Sequence, residues 1–303
     1  MKLHIQEILR RVSHQQYIGD SDQMISNLVP LDKGLTNNSL IAWCSDKNTK
    51  PLEEILQGTI IVSNDAYQNV LKLNRSFIGN AIIVSNPRSC FAEILRQFFI
   101  PSEKAPTIAD SVKKGLNVEI GNQTSIGENV VLGDDVKIGD HCKIGHNTVI
   151  LANTEIANNC TIGSNCTIGG VGFGYEKNDD NIFELIPHIG NVFIDDFVEI
   201  GNNVCIDRAV LGSTIIGKHS RIDNLVHIAH GVKIGQRSMI IANAMIAGST
   251  EIGDDVWVAP SASVMQKKVI NDRATVGLGS VILKDIEADD IVAGVPAKSI
   301  KKK

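Results

Sequence analysis

Residues 216–282 read IGKHSRIDNLVHIAHGVKIGQRSMIIANAMIAGSTEIGDDVWVAPSASVMQKKVINDRATVGLGSVI. An aliphatic side chain falls on every sixth position: Ile216, Ile222, Ile228, Ile234, Ile240, Ile246, Ile252, Val258, Val264, Ile270, Val276 and Ile282. A helix repeats its apolar face at about 3.6 residues and a half-buried strand at about 2, so neither explains this period. A β-helix of hexapeptide repeats does. Each hexad forms one flat side of a triangular coil and points its aliphatic residue at the axis.

The pattern extends towards the N-terminus. A first ladder runs Ile120, Ile126, Leu132, Ile138, Ile144, Ile150, Ile156, Ile162 and Ile168. Gly often follows the ladder residue, as in Ile120-Gly121 and Ile138-Gly139, which suggests a corner needing backbone freedom. The ladder breaks after Ile168, and residues 171–181 are expected to loop out of the coil. It resumes at Ile194, Ile200 and Ile206, and an insertion separates Ile206 from Ile216. Three hexads make one coil, which predicts roughly eight to nine coils over residues 106–290. Pro296 ends the pattern, so residues 291–303 are expected to form a short basic tail.

Residues 1–105 lack the hexad period. Leu3, Ile5, Ile8, Leu9 and Val12 suggest an opening helix. The runs Gly58–Ser63 and Asn80–Ser85 read as buried strands, each followed by a helical segment, Tyr67–Leu73 and Ser89–Phe99. Alternating strands and helices predict a small α/β domain, joined by a linker from Pro101 to Pro106. The fold class expected is mainly β: a parallel β-helix behind a small N-terminal α/β domain.

Aromatic residues make up only 4% of the chain, as suits narrow coils with room for Ile and Val but little for Trp. A formal net charge of −5 argues against nucleic acid as the main partner. The six cysteines are scattered without a CxxC and read as thiols of a reducing compartment. The charged N-terminus is not a signal peptide, and no apolar run is long enough for a transmembrane segment. A soluble, cytoplasmic protein is expected.

His230 is the candidate centre of chemistry. It stands two residues after the inward Ile228, so its ring can lie on the outer surface of the coil. Asp223 and Asn224 lie one hexad earlier, able to orient an imidazole or bind sugar hydroxyls. Gly248 lies one full coil further on, which puts its backbone N–H about 4.8 Å away. Small residues, among them Ala229, Gly231 and Ala247, leave a shallow slot. That arrangement suits acyl transfer. A neutral imidazole takes a proton from an attacking amine, and a backbone N–H stabilises the oxyanion. A thioester is already activated, so no Ser or Cys nucleophile is required. A metal site is not expected: His141 and His146 are five apart, but two coils before His141 stands Ala105.

The residues also carry a resemblance. Gly172-Phe-Gly-Tyr175, Ile186-Pro-His-Ile-Gly-Asn-Val192, Val198-Glu-Ile-Gly201, Ile206-Asp-Arg208, Thr214-Ile-Ile-Gly217, Ile222-Asp-Asn224 and Ile228-Ala-His230 occur in the order seen in the LpxD family. These are the UDP-3-O-(3-hydroxyacyl)glucosamine N-acyltransferases of lipid A biosynthesis. The resemblance implies a left-handed β-helix and a homotrimer with active sites between rods. It implies His230 as general base, Gly248 as oxyanion donor, and Asp223, Asn224 and His227 on the substrate side. The front domain would bind the uridine of a UDP-sugar, with Trp43 stacking on uracil and Asp46 or Asn48 at the base edge. No permanently bound cofactor is implied; the donor is a phosphopantetheine thioester carried by acyl carrier protein.

The chain departs from the family in three places. Gln266, Lys267 and Lys268 stand where a second active-site His is expected, and the C-terminal helical extension is absent. The usual Tyr of the uracil pocket has no clear counterpart. The ending Val292–Lys298 resembles instead that of coenzyme-A-dependent sugar acetyltransferases. The alternative reading is therefore a coenzyme-A-dependent N-acetyltransferase acting on a UDP- or dTDP-linked amino sugar. A non-catalytic scaffold is the remaining reading, since the fold does not fix the function.

Overall fold

The computed structural model describes residues 2–31, 35, 37–44, 57–73, 79–100 and 105–301. The chain divides into two compact units, residues 1–104 and 105–303.

The first unit is a five-stranded sheet in the order Gln16–Ile18, Asn80–Ile83, Thr59–Val62, Leu40–Trp43, Asn27–Leu28. The first pair is antiparallel and the rest are parallel. Both predicted strands form the centre of this sheet. Ile60 to Val62 and Ala81 to Ile83 are buried on both faces, as a continuous apolar run requires. Helices Ile5–Arg11, Asn64–Leu73 and Pro87–Ile94 accompany the sheet. Asn86 caps the last of these, its side chain accepting from Ser89 N at 3.0 Å, and Pro87 takes the first helical position.

The second unit is a parallel β-helix. Its three sheets hold ten, nine and eight strands. Strand partners are in register a full coil apart, as Ile126 with Ile144 and Ile240 with Val258. The ladder residues from Ile126 to Ile282 form one continuous core.

A second inward position accompanies each ladder residue and was not read from the sequence. It lies two residues earlier and holds Val130, Val136, Cys142, Thr148, Cys160, Val198, Ser220 and Val232, all buried; at Lys268, two before Ile270, it is only partly buried. Most polar residues there bond between coils, although the Thr154 hydroxyl finds no partner among the described residues. Thr148 Oγ1 donates to Gly163 O at 2.8 Å, and Ser238 Oγ to Gly253 O at 2.8 Å. These hydroxyls break the aliphatic pattern, which hid the position.

The corner glycines have a different cause from the one expected. Gly121, Gly133 and Gly139 do not take a left-handed backbone. That conformation falls two residues later, on Gln123, Asp135 and His141 at φ 57°, 56° and 57°. What requires glycine is the neighbouring coil: a Cβ on Gly133 would stand 2.6 Å from Ala152 N. The left-handed positions favour Asn, whose short polar side chain tolerates that region.

Residues 172–189 leave the coil, starting one residue later and running further than the expected 171–181, and carry an antiparallel hairpin pairing Tyr175–Lys177 with Phe183–Leu185. Its apolar side chains are open to solvent, with Phe173 87% and Phe183 64% exposed. The coil closes behind it, since Ile156 pairs directly with Ile194. The expected basic tail is instead structured. Ile291–Gly294 pairs parallel to Thr275 and Val276, and Ala297–Ser299 folds back on it antiparallel. Val292 is apolar and inward-facing, so the segment continues the coil where the hexad count had stopped.

Candidate active site

His230 sits at a corner, held from both sides. Ala229 N donates to Ile246 O at 3.0 Å, and Ser249 N to His230 O at 2.9 Å. Gly231 then turns the chain at φ 68°, its N–H donating to Thr214 Oγ1 at 2.9 Å. The backbone therefore has no freedom to withdraw the imidazole.

The ring lies against Gly248 of the next coil. A Cβ on Gly248 would stand 2.7 Å from His230 Nε2 and 2.8 Å from Cε1, so only glycine leaves the ring this place. At several corners the equivalent N–H is taken by a side-chain oxygen one coil on: Asn122 by Asp140 at 2.6 Å, Gln236 by Asp254 at 2.8 Å, Asp254 by Asp272 at 2.9 Å. Among the described residues Gly248 N–H donates to nothing. His230 itself lines an open slot. The slot runs on past Leu211, Gly212 and Ser249 towards Lys233 and Glu251, which pair with each other at 3.5 Å.

Two residues that the sequence reading left unassigned complete the surroundings. His188, at the end of the excursion, is buried to 7% exposure. Its ring meets that of His230 edge to face, with centroids 5.1 Å apart. Burial holds the His230 imidazole below its usual pKa, and the charge of His188 adds to the effect. Asp207 follows the inward Ile206 and is half-buried; its Oδ2 lies 3.8 Å from His227 Nε2. Burial pushes its carboxyl up, and His227 and His188 pull it part of the way back. The signal available in the sequence was the insertion after Ile206, which marks the coil where the site is built.

Asp223 and Asn224 do not reach His230 within the chain; they stand one corner earlier. Asp223 Oδ1 accepts from Asn224 N at 2.7 Å, and its Oδ2 from Ala242 N at 3.2 Å. Asn224 Oδ1 accepts from Asn202 N at 2.7 Å. Asp223 lines a separate groove with Arg221 and Met239. In the front unit, Trp43 is half-buried with its ring 6.1 Å from that of Phe91. Asp46 and Asn48 lie outside the described residues. No group of three or more metal-ligating side chains converges among the described residues. No described helix is long and apolar enough to cross a membrane.

Three stretches, residues 117–152, 135–170 and 213–248, match the family model "Bacterial transferase hexapeptide (six repeats)". A UDP-3-O-acylglucosamine N-acyltransferase from Campylobacter lari is 40% identical over 292 residues, covering 93% of this chain and 89% of that one. One from Campylobacter jejuni strain RM1221 is 42% identical over 293 residues with the same coverage. The chain belongs to the UDP-3-O-acylglucosamine N-acyltransferase family.

Other members of that acyltransferase family match over a shorter span. The Caulobacter sp. strain K31 relative is 37% identical over 131 residues, and the chain spans 38% of its length. Among solved structures, a UDP-N-acetylglucosamine O-acyltransferase from Moraxella catarrhalis superposes with a TM-score of 0.59 at 26% identity, over 63% of this chain and 73% of that one. The fold common to the chain and these acyltransferases is the left-handed parallel β-helix.

Proposed function

We propose that the chain is an N-acyltransferase of lipid A biosynthesis, acting on a UDP-3-O-acylglucosamine and taking its acyl group from a phosphopantetheine thioester. The observation that carries this reading is the seat of His230 Nε2 against the side-chain-free Gly248 of the next coil, whose N–H has no acceptor among the described residues. The amine nitrogen attacks the thioester carbonyl and a C–N bond forms. The amine proton passes to His230 Nε2, while the Gly248 N–H donates to the oxyanion. The C–S bond then breaks, and the proton moves from His230 to the leaving thiolate. A half-buried imidazole with a lowered pKa is neutral near pH 7, the state in which it can act as base.

The donor in this reading is a 3-hydroxyacyl-acyl carrier protein. Lys267, Lys268, Arg273 and Lys298 offer positive charge to an acidic carrier. The working form is a homotrimer in the cytoplasm, in which Asp223 and Asn224 of one protomer approach the slot of another. Trp43 stacks on the uracil.

A second reading, a coenzyme-A-dependent N-acetyltransferase, draws on one observation: residues 291–299, whose sequence resembles that of coenzyme-A-dependent sugar acetyltransferases, fold as an antiparallel hairpin. Assaying UDP-3-O-acylglucosamine with a 3-hydroxyacyl-acyl carrier protein and with acetyl-coenzyme A separates the two. Transfer from the carrier protein alone is expected. Turnover with acetyl-coenzyme A and none with the carrier protein would sink the lipid A reading.

A further inference from the structure

His188 is buried, yet one of its ring nitrogens has no partner. Nδ1 lies 2.6 Å from Ile186 O; a carbonyl oxygen only accepts, so Nδ1 carries the proton and donates. Nε2 is then a lone-pair acceptor, and nothing among the described residues bonds to it. A buried polar atom without a partner is costly and needs an explanation. The atom is closed off from bulk solvent.

The neighbour on that side is His230. Gly172 lies between them: a Cβ there would stand 2.7 Å from His188 Nε2 and 2.7 Å from His230 Cβ. The missing side chain lets the ring of His188 and the Cβ of His230 stand this close. The opposite edge of His230, at Nε2, faces Gly248. The His188 and His230 rings lie edge to face with centroids 5.1 Å apart, and among the described residues the His230 ring makes no hydrogen bond. Catalytic hydrogen bonds often tighten only in the substrate complex.

We propose that His188 is the positioning residue of the base, its Nε2 accepting a hydrogen bond from the second ring N–H of His230 once Nε2 of His230 holds the amine proton. This rests on the N-acyltransferase reading above. The amine proton goes to His230 Nε2 and on to the thiolate; His188 keeps its own proton on Nδ1 and gives up none. His188 stabilises the imidazolium as an oriented acceptor, the part a carboxylate plays in a Ser-His-Asp triad. The charged and titratable groups around the pair are Asp207 and His227 on the His188 side, and Lys233 and Glu251 along the slot.

The test compares wild type with His188→Phe, which keeps a buried ring but no acceptor, and His188→Gln, whose amide oxygen accepts. The assay uses UDP-3-O-acylglucosamine and a 3-hydroxyacyl-acyl carrier protein. In His188→Phe, kcat is expected to fall about a hundredfold with KM for the sugar within about twofold, and His188→Gln to retain most of kcat. The pH profile separates orientation from mere proximity of charge. Loss of an acceptor makes His230 harder to protonate, so the acid limb of kcat/KM moves to lower pH in His188→Phe. If His188 acts only as a neighbouring cation, either substitution moves that limb to higher pH. An unchanged kcat in His188→Phe, a Gln variant as impaired as Phe, or an upward shift of the limb overturns the proposal. If His188→Phe fails to fold, the Gln profile decides: an unmoved limb supports the acceptor and an upward one refutes it. Absence of transfer by wild type itself would instead remove the underlying acyltransferase reading, and this role with it.

Discussion

The imidazole of His230 lies across Gly248 of the next coil, with Nε2 the atom nearest to where a glycine Cβ would project, at 2.7 Å. A Gly248→Ala substitution therefore displaces the base rather than the fold. The backbone there is not left-handed, and the ring can swing outward, so stability is expected to change little. The misplaced base is expected to lower kcat about tenfold to a hundredfold. Steady-state kinetics beside a thermal melt check this; equal kcat would mean the ring's seat is irrelevant.

His230→Ala removes the base outright. The expected loss in kcat is about 10² to 10⁴, with the melting temperature unchanged. In the wild type His230 must be neutral to act, and burial lowers its pKa below the usual 6.5. Activity should therefore persist as pH falls through 6.5 and drop only below that lowered pKa. A kcat/KM profile whose acid limb lies above 6.5 would contradict the assignment.

Asp207 gives a stability prediction of opposite sign. Its folded pKa is raised above the usual 3.8, chiefly by burial. The folded state then holds the proton more tightly than the unfolded one. Asp207 favours folding below pH 3.8, and that contribution is lost as pH rises through its folded pKa. Asp207→Asn should flatten the fall in melting temperature from pH 3.8 upward and leave stability at pH 7 equal or higher. A variant much less stable at pH 7 would show that the His227 contact outweighs burial.

Two glycine substitutions separate the two demands on this residue. Gly279 has φ 61° and nothing within 4 Å of its Cβ position, so Gly279→Asn should cost under about 1 kcal/mol. Gly133 has no left-handed backbone, but its Cβ would stand 2.6 Å from Ala152 N. Gly133→Ala should cost about 1–3 kcal/mol, because backbone of an adjoining coil cannot move aside. Denaturant melts of both decide. The reverse order would restore backbone freedom as the reason for the corner glycines.

The hexad period was legible because a coil repeats its inward residue at fixed spacing. One aliphatic ladder therefore sufficed to place Gly248 a coil beyond His230. The second inward position was not legible, since Thr148, Ser220 and Ser238 are buried there as polar residues bonded between coils. The hairpin from Ile291 to Ser299 was missed because Pro296 interrupts the count, although Val292 still faces the core.

Chain periodicity alone determined the β-helix and the stacking of His230 on Gly248. Tertiary structure alone decided what else touches the base. His188 lies 42 residues before His230, in a segment where the ladder is interrupted, and the excursion between Val171 and Asn191 brings it back to the same corner. Asp223 and Asn224 are nearer in sequence yet stand a corner away. Spacing along a solenoid fixes which residues stack from coil to coil. The return path of a segment that leaves the coil depends on its own pairing and packing, which no count of sixes contains.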